Sequence, residues 1–237
     1  MKRAICIGLN YVGSPYQLGG CVRDAETLAV RIQDKGANVN LVRDTITVNE
    51  FYEWLDSMRG VMKKTDTLYV TYSGHGTQYY ENGAMHEGLC MWNGKEIEVL
   101  PDADLNAALN KIPGTVILIL DSCFSGGMAR AVSAPTTRQE RFVPFDAATM
   151  KVIKVQAPKA MVASVSNKRV NLFACKDSEV SWDLGPAGGL FTTSFLKGYD
   201  SGLRTVGKLM TKAYNLCKPD QHPTWSYQGT TGNKRLF

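Results

Sequence analysis

Short apolar runs that stop at small residues alternate with stretches of helical period through the first half of the chain. Residues 4–9 read as a strand that ends in a Gly/Pro-bearing loop from Gly13 to Gly20. Ala25, Leu28, Ala29 and Ile32 then fall at i, i+3, i+4 and i+7. This spacing predicts a helix from Ala25 to Lys35, with Asp24 as its N-cap and Gly36 as its stop. Val39 to Val42 forms the next short strand, and Thr47 with Glu50 makes a capping box that opens a helix to about Lys63. Leu68 to Tyr72 is apolar again. Strands and helices that alternate in this way predict a parallel sheet covered on both faces.

The pattern is less regular after His75. Tyr79 to Ala84 reads as a turn, and the stretch around Leu89–Trp92 with Asn93-Gly94 reads as a small hairpin. A helix from Asp102 to about Lys111, capped by Asp102, leads through Gly114 into the apolar run that ends at Asp121. Residues 128–158 are rich in Ala, Ser, Thr and Pro and carry Arg130, Arg138, Arg141, Lys151 and Lys154, with little period before Met150. A loop of this length is usually functional or mobile. Beyond it, Met161–Val165 and Val170–Ala174 are candidate strands, and Gly188–Leu196 is an apolar helix ending near Gly198. A helix from Thr205 to Cys217 follows, and the segment around Gln221–Tyr227 is expected to add an edge strand, where Pro223 is tolerated.

Composition narrows the class. With 237 residues, 44% of them apolar and 21% charged, the chain has the make-up of a globular α/β protein with one sizeable core. Its net charge of +5 is scattered, without a run of five basic residues, so a nucleic-acid partner is not expected. Six cysteines show no C-x-x-C pairing, which argues against a disulfide framework and favours a reducing compartment. The apolar run after Met1-Lys-Arg is too short for a signal segment, and no run approaches the ~20 residues that span a bilayer. A cytoplasmic protein without membrane contact is expected.

Two of the strand ends carry chemistry. Tyr72-Ser-Gly-His75-Gly76 follows one apolar run, and Asp121-Ser-Cys123-Phe-Ser-Gly follows another. Functional groups in open parallel sheets collect at the carboxyl ends of strands. Neighbouring strands lie ~5 Å apart, so a thiol and an imidazole leaving adjacent ends can reach one substrate atom. The imidazole would take the thiol proton and hand it to a leaving amine. The N–H groups of Gly76 and Cys123 could form an oxyanion hole. Ser125 is a rival nucleophile, but the sequence around it does not make a G-x-S-x-G elbow. His86 and Cys90 are four residues apart and lack a second ligand pair, so no metal site is expected.

The two blocks resemble the signatures of the metacaspase and orthocaspase branch of the caspase-like cysteine peptidases. The resemblance extends to Ala4–Asn10, Leu18-Gly-Gly-Cys21-Val-Arg-Asp24, Ala174-Cys175-Lys-Asp177 and, more weakly, Gln221-His-Pro. It implies a caspase-like three-layer α/β sandwich with a mostly parallel central sheet flanked by helices. It further implies a single peptidase domain over 1–237, with a p20-like part at 1–127, a mobile basic loop at 128–158 and a p10-like part at 159–237. The implied activity is cleavage after Arg or Lys by a Cys123–His75 dyad, with Gly76 at the oxyanion and self-processing in the 128–158 loop. The implied S1 pocket, which takes the P1 residue on the amino side of the cut, consists of Asp24, Ser73, Asp177 and Cys21. Two carboxylates in a desolvated recess suit a guanidinium. Asp121 is assigned a structural role. The relatives' calcium site uses a cluster of aspartates, whereas this chain has Asp102, Asp104 and Glu87 in that region. No cofactor is therefore expected to be required, and calcium activation is the less favoured alternative. The expected partners are polypeptide substrates, acted on by a monomer. Two other readings are a clan relative with a different P1 preference, such as Asn or Asp, and a non-proteolytic regulatory module that kept the fold.

Overall fold

The computed structural model describes residues 1–124, 138–154 and 167–236. Its centre is a six-stranded sheet, parallel except for one edge. The strands are β1 (Lys2–Gly8), β2 (Asn38–Arg43), β3 (Thr67–Ser73), β7 (Thr115–Asp121), β10 (Lys168–Phe173) and β12 (Thr224–Gln228), in the order β12-β10-β7-β3-β1-β2. Only β12 runs antiparallel to its neighbour. It is the expected edge strand, and Pro223 lies just before it.

Both faces of this sheet are buried, as the near-continuous apolar strands require. Ile5, Ile7, Leu68, Val70, Val116 and Leu118 point to one core. Ala4, Cys6, Tyr69, Ile117 and Ile119, which alternate with them, point to the other. Helices α1 (Cys21–Gln33), α4 (Leu190–Asp200) and α5 (Val206–Cys217) cover the second face. Helices α2 (Val48–Val61) and α3 (Asp102–Leu109) cover the first. This is the expected three-layer α/β arrangement.

Several boundaries differ from the sequence reading. Helix α1 starts four residues earlier than its apolar period suggests, with Gly20 at the N-cap and no side-chain cap. Asp24 is therefore inside the first turn and buried, not a cap. Helix α2 has the expected capping box between Thr47 and Glu50. Helix α3 is preceded by Pro101 at its N-cap, and Asp102 is its first residue. Helix α4 continues through Gly198 to Asp200.

The irregular stretch after His75 forms a second sheet. It contains β4 (Gly76–Glu81), β5 (Ala84–Trp92), β6 (Ile97–Pro101) and β9 (Met150–Val152). Asn82 and Gly83, both at positive φ, make the tight turn between β4 and β5. A third pairing joins β8 (Gln139–Glu140) to β11 (Trp182–Asp183). The expected strand at Met161–Val165 lies outside the described residues, as do Ser125 and most of the first part of the 128–158 loop.

Candidate active site

Strands β3 and β7 are adjacent and parallel, with Ser73 opposite Asp121 in the last pair of the register. Two residues further along each chain stand His75 and Cys123. The sheet thus brings both to the same edge, and both are buried. Gly76 packs so closely on the turn at Cys123 that a Cβ at this position would overlap the Cys123 carbonyl.

The imidazole is oriented from behind. Its Nε2 lies 2.8 Å from the carbonyl oxygen of Tyr16, an acceptor only, so the proton sits on Nε2. This leaves Nδ1 as a lone-pair acceptor, buried without a hydrogen-bond partner. Burial, only partly opposed by the Tyr16 carbonyl, pulls the His75 pKa down to about 4. Burial also pushes the Cys123 thiol up to about 12, against a lowering contact with the Ser181 backbone. Burial thus favours the neutral form of both groups.

The N–H groups of Gly76 and Cys123 converge on one oxygen atom. They donate to the carbonyl of Arg141 at 3.0 and 3.3 Å. The Arg141 N–H in turn donates to Ser181 at 2.9 Å, and the Val143 N–H to Gly76 at 3.0 Å. The segment 139–143 therefore crosses the His75–Cys123 edge, bending at Arg141. One end pairs antiparallel with β11, and the other bridges to Gly76 at Phe142.

The Arg141 side chain has no exposed surface and fills an acidic recess. Its Nη2 contacts Asp24 at 2.7 Å and Asp183 at 3.1 Å, and its Nη1 contacts Ser73 at 2.7 Å and Asp121 at 3.0 Å. Ser73 also donates to Asp24 at 2.8 Å, and the Cys21 sulfur lies 3.6 Å from Asp183. The Gly189 N–H donates to both oxygens of Asp24. Asp121 is held by the N–H and hydroxyl of Thr192 and the hydroxyl of Ser181. Three carboxylates thus surround one guanidinium. Although burial opposes its charge, the surrounding Asp121, Asp24 and Asp183 hold the Arg141 pKa well above its ordinary range. Burial raises Asp24 to about 6 even though Arg141 pulls it down.

Of the residues expected to form the pocket, Asp24, Ser73 and Cys21 meet here. Asp177 does not; it lines a separate cavity of about 220 Å³ with Glu87, Asp102, Leu105 and Phe124. After β10 the chain runs over the α3 side of the sheet and returns to the recess only at Ser181–Asp183. Asp183 takes the position expected for Asp177. Arg141, Asp183 and Ser181 were not singled out for this recess from the sequence, because nothing local distinguishes them. Among the described residues, no group of three His, Cys, Asp or Glu side chains could hold a metal ion, and no helix is long and apolar enough to cross a membrane.

Comparisons with known proteins agree with this architecture. The family model described as Caspase domain matches residues 1–233. Metacaspase-6 of Arabidopsis thaliana is 27% identical over 143 residues, covering 54% of this chain and 39% of the relative. Metacaspase-1 of Plasmodium falciparum is 24% identical over 220 residues, covering 81% of this chain and 33% of the relative. The aligned regions thus span well under half of those relatives. Among solved structures, protein GSU0716 from Geobacter sulfurreducens superposes with a TM-score of 0.78 at 25% identity, covering 99% of this chain and 97% of that one. Caspase-1 from Spodoptera frugiperda shares the fold, with a TM-score of 0.56 at 13% identity, over 95% of this chain and 85% of that one.

Proposed function

The chain belongs to the caspase-domain family of cysteine peptidases, and from that premise we propose that it is an endopeptidase cutting after Arg or Lys through Cys123 and His75. The observation that carries this reading is Arg141, whose guanidinium fills the acidic recess while its carbonyl accepts from the Gly76 and Cys123 N–H groups. A peptide carbonyl held by two N–H donors beside a thiol is poised for acyl transfer.

In the proposed mechanism, Nδ1 of His75 takes the Cys123 proton as the sulfur attacks the carbonyl carbon. The negative charge that develops on oxygen is met by the two N–H groups, each worth about 3–4 kcal/mol in such sites. The imidazole then protonates the leaving amine, and water hydrolyses the thioester. The Tyr16 carbonyl keeps the imidazole in the tautomer this sequence needs and favours its charged form in the transition state. Asp24, Asp183, Ser73 and Cys21 form the S1 pocket, with Asp121 at its floor.

The same reading has the enzyme act on polypeptides as a monomer in the cytoplasm, without a required cofactor; six unpaired cysteines suit a reducing compartment. Peptide amides varied at P1 test the specificity. Arg and Lys should be preferred over Asp and Asn. Asp183→Asn should lower Arg turnover by on the order of 10²–10³-fold, the cost of breaking a buried charge pair, whereas Asp177→Asn should leave the P1 ranking unchanged. Equal turnover of Asp and Arg peptides would refute the assignment.

A further inference from the structure

We propose that the Arg141–Phe142 peptide bond is this protein's own substrate, cut by its own Cys123, and that the uncut chain blocks its cleft until that bond is broken. This rests on the peptidase reading and deepens it by naming the bond. The described part of the basic loop contains Arg138, Arg141, Lys151 and Lys154, and among these only Arg141 is presented as a substrate.

Contacts of the side chain, the backbone and both flanks define that presentation. The side chain lies in the carboxylate recess, ion-paired to Asp24, Asp121 and Asp183. The carbonyl oxygen accepts from Gly76 and Cys123, and the Arg141 N–H donates to Ser181. Gln139 and Glu140 pair antiparallel with β11, as an added substrate strand would. On the other side of the bond, the Val143 N–H donates to Gly76, and Phe142 packs against the apolar group of Cys123, Cys175 and Val180. Arg138 and Lys154 are instead partly exposed and paired with Asp220 and Glu81, and Lys151 is paired with Glu96.

The chemistry balances with water as the only co-reactant. The Cys123 sulfur bonds to the Arg141 carbonyl carbon, and the bond to the Phe142 nitrogen breaks. That nitrogen leaves as an amine carrying the proton His75 took from the thiol. Water then splits the thioester, giving the Arg141 carboxylate and restoring the thiol. While the Arg141 side chain anchors this segment in the recess, no other peptide can enter; cutting the bond, or removing that side chain, frees the cleft.

Intact mass and amino-terminal sequencing of the incubated full chain test this directly. The wild type should convert to 1–141 and 142–237, with a new terminus at Phe142, and the fraction cut per unit time should not change with protein concentration. Cys123→Ala should stay whole. Phe142→Pro retains Arg141 and loses no hydrogen bond among those the structure gives the segment; it should stay whole and be inactive on Arg-P1 peptides. Arg141→Ala should be uncut at this bond yet hydrolyse such peptides. A fraction cut per unit time that rises in proportion to concentration, or cutting only elsewhere, would overturn the proposal. If Phe142→Pro, uncut, hydrolysed Arg-P1 peptides as fast as the processed wild type, the blocking role would fall. If the wild type stayed uncut while Arg141→Ala turned over peptides, the bond assignment would fail and the peptidase reading would stand. Hydrolysis by neither protein would remove both.

Discussion

Arg141→Ala, made in a Cys123→Ala background so that no cutting interferes, should destabilise the chain in a pH-dependent way. The guanidinium is fully buried and its four close contacts reach Asp24, Asp121, Asp183 and Ser73. Removing it leaves three buried carboxylates without a counter-charge, a change that costs about 3–5 kcal/mol when the charges remain. Asp24 can escape part of that cost by taking up a proton. Asp24 already sits at about 6, above its ordinary 3.8, because burial outweighs the pull of Arg141. Without Arg141 its folded-state value rises further. A carboxyl raised on folding contributes stability that is fully present below about pH 4 and is lost as pH rises through the folded value. The loss caused by the substitution should therefore be small near pH 4.5 and approach about 3 kcal/mol at pH 8. Urea unfolding of the two proteins at a series of pH values measures it. A loss that does not change with pH, or one below about 1 kcal/mol at pH 8, would refute this account of the recess.

Three further outcomes follow from the same geometry. A Cβ on Gly189 would overlap Asp121 and crowd the Arg141 guanidinium, while its φ of −74° suits any residue. Gly189→Ala should thus cut Arg-P1 turnover about ten- to a hundredfold, the equivalent of about 1–3 kcal/mol of overpacking; unchanged turnover would contradict the recess as the P1 site. Arg138, three residues before Arg141, pairs with Asp220 at 2.8 Å on the surface. Asp220→Ala should weaken any preference for a basic residue at that substrate position by no more than about fivefold, since exposed pairs contribute about 0–1 kcal/mol, and a larger loss would mean that Asp220 does more than pair. In the uncut chain the Cys123 thiol is buried and pushed up to about 12. Iodoacetamide at pH 8 should therefore modify it far more slowly in Phe142→Pro than in Arg141→Ala; equal rates would show that the segment does not cover the sulfur.

The parts of the fold that were legible in the sequence share a cause. Strands buried on both faces are continuous apolar runs, and helices such as α2 carry local signals, so β1, β3, β7 and α2 follow from neighbouring residues alone. His75 and Cys123 were legible because strand ends are. Asp24 was misread as a cap because Gly20 opens α1 without a side-chain signal. The recess was only half legible. Arg141 contacts residues 20, 42, 68 and 117 positions away, separations at which local period carries no information. Asp177 and Asp183 look alike in sequence; only the path of the chain after β10 separates them. Of the second sheet only the hairpin at Asn93-Gly94, which joins β5 to β6, was legible; β4 was hidden because it begins at Gly76, directly after the histidine, within what read as a loop.

The most direct test of the central claim is covalent capture of the thiol. The self-processed protein and the Arg141→Ala variant should each be treated with an arginine chloromethyl ketone and, separately, with its aspartate counterpart, then mapped by peptide mass spectrometry. The arginine reagent should alkylate Cys123 and leave Cys6, Cys21, Cys90, Cys175 and Cys217 untouched, while the aspartate reagent reacts much more slowly. An unmodified Cys123, or equal capture by the two reagents, would contradict it.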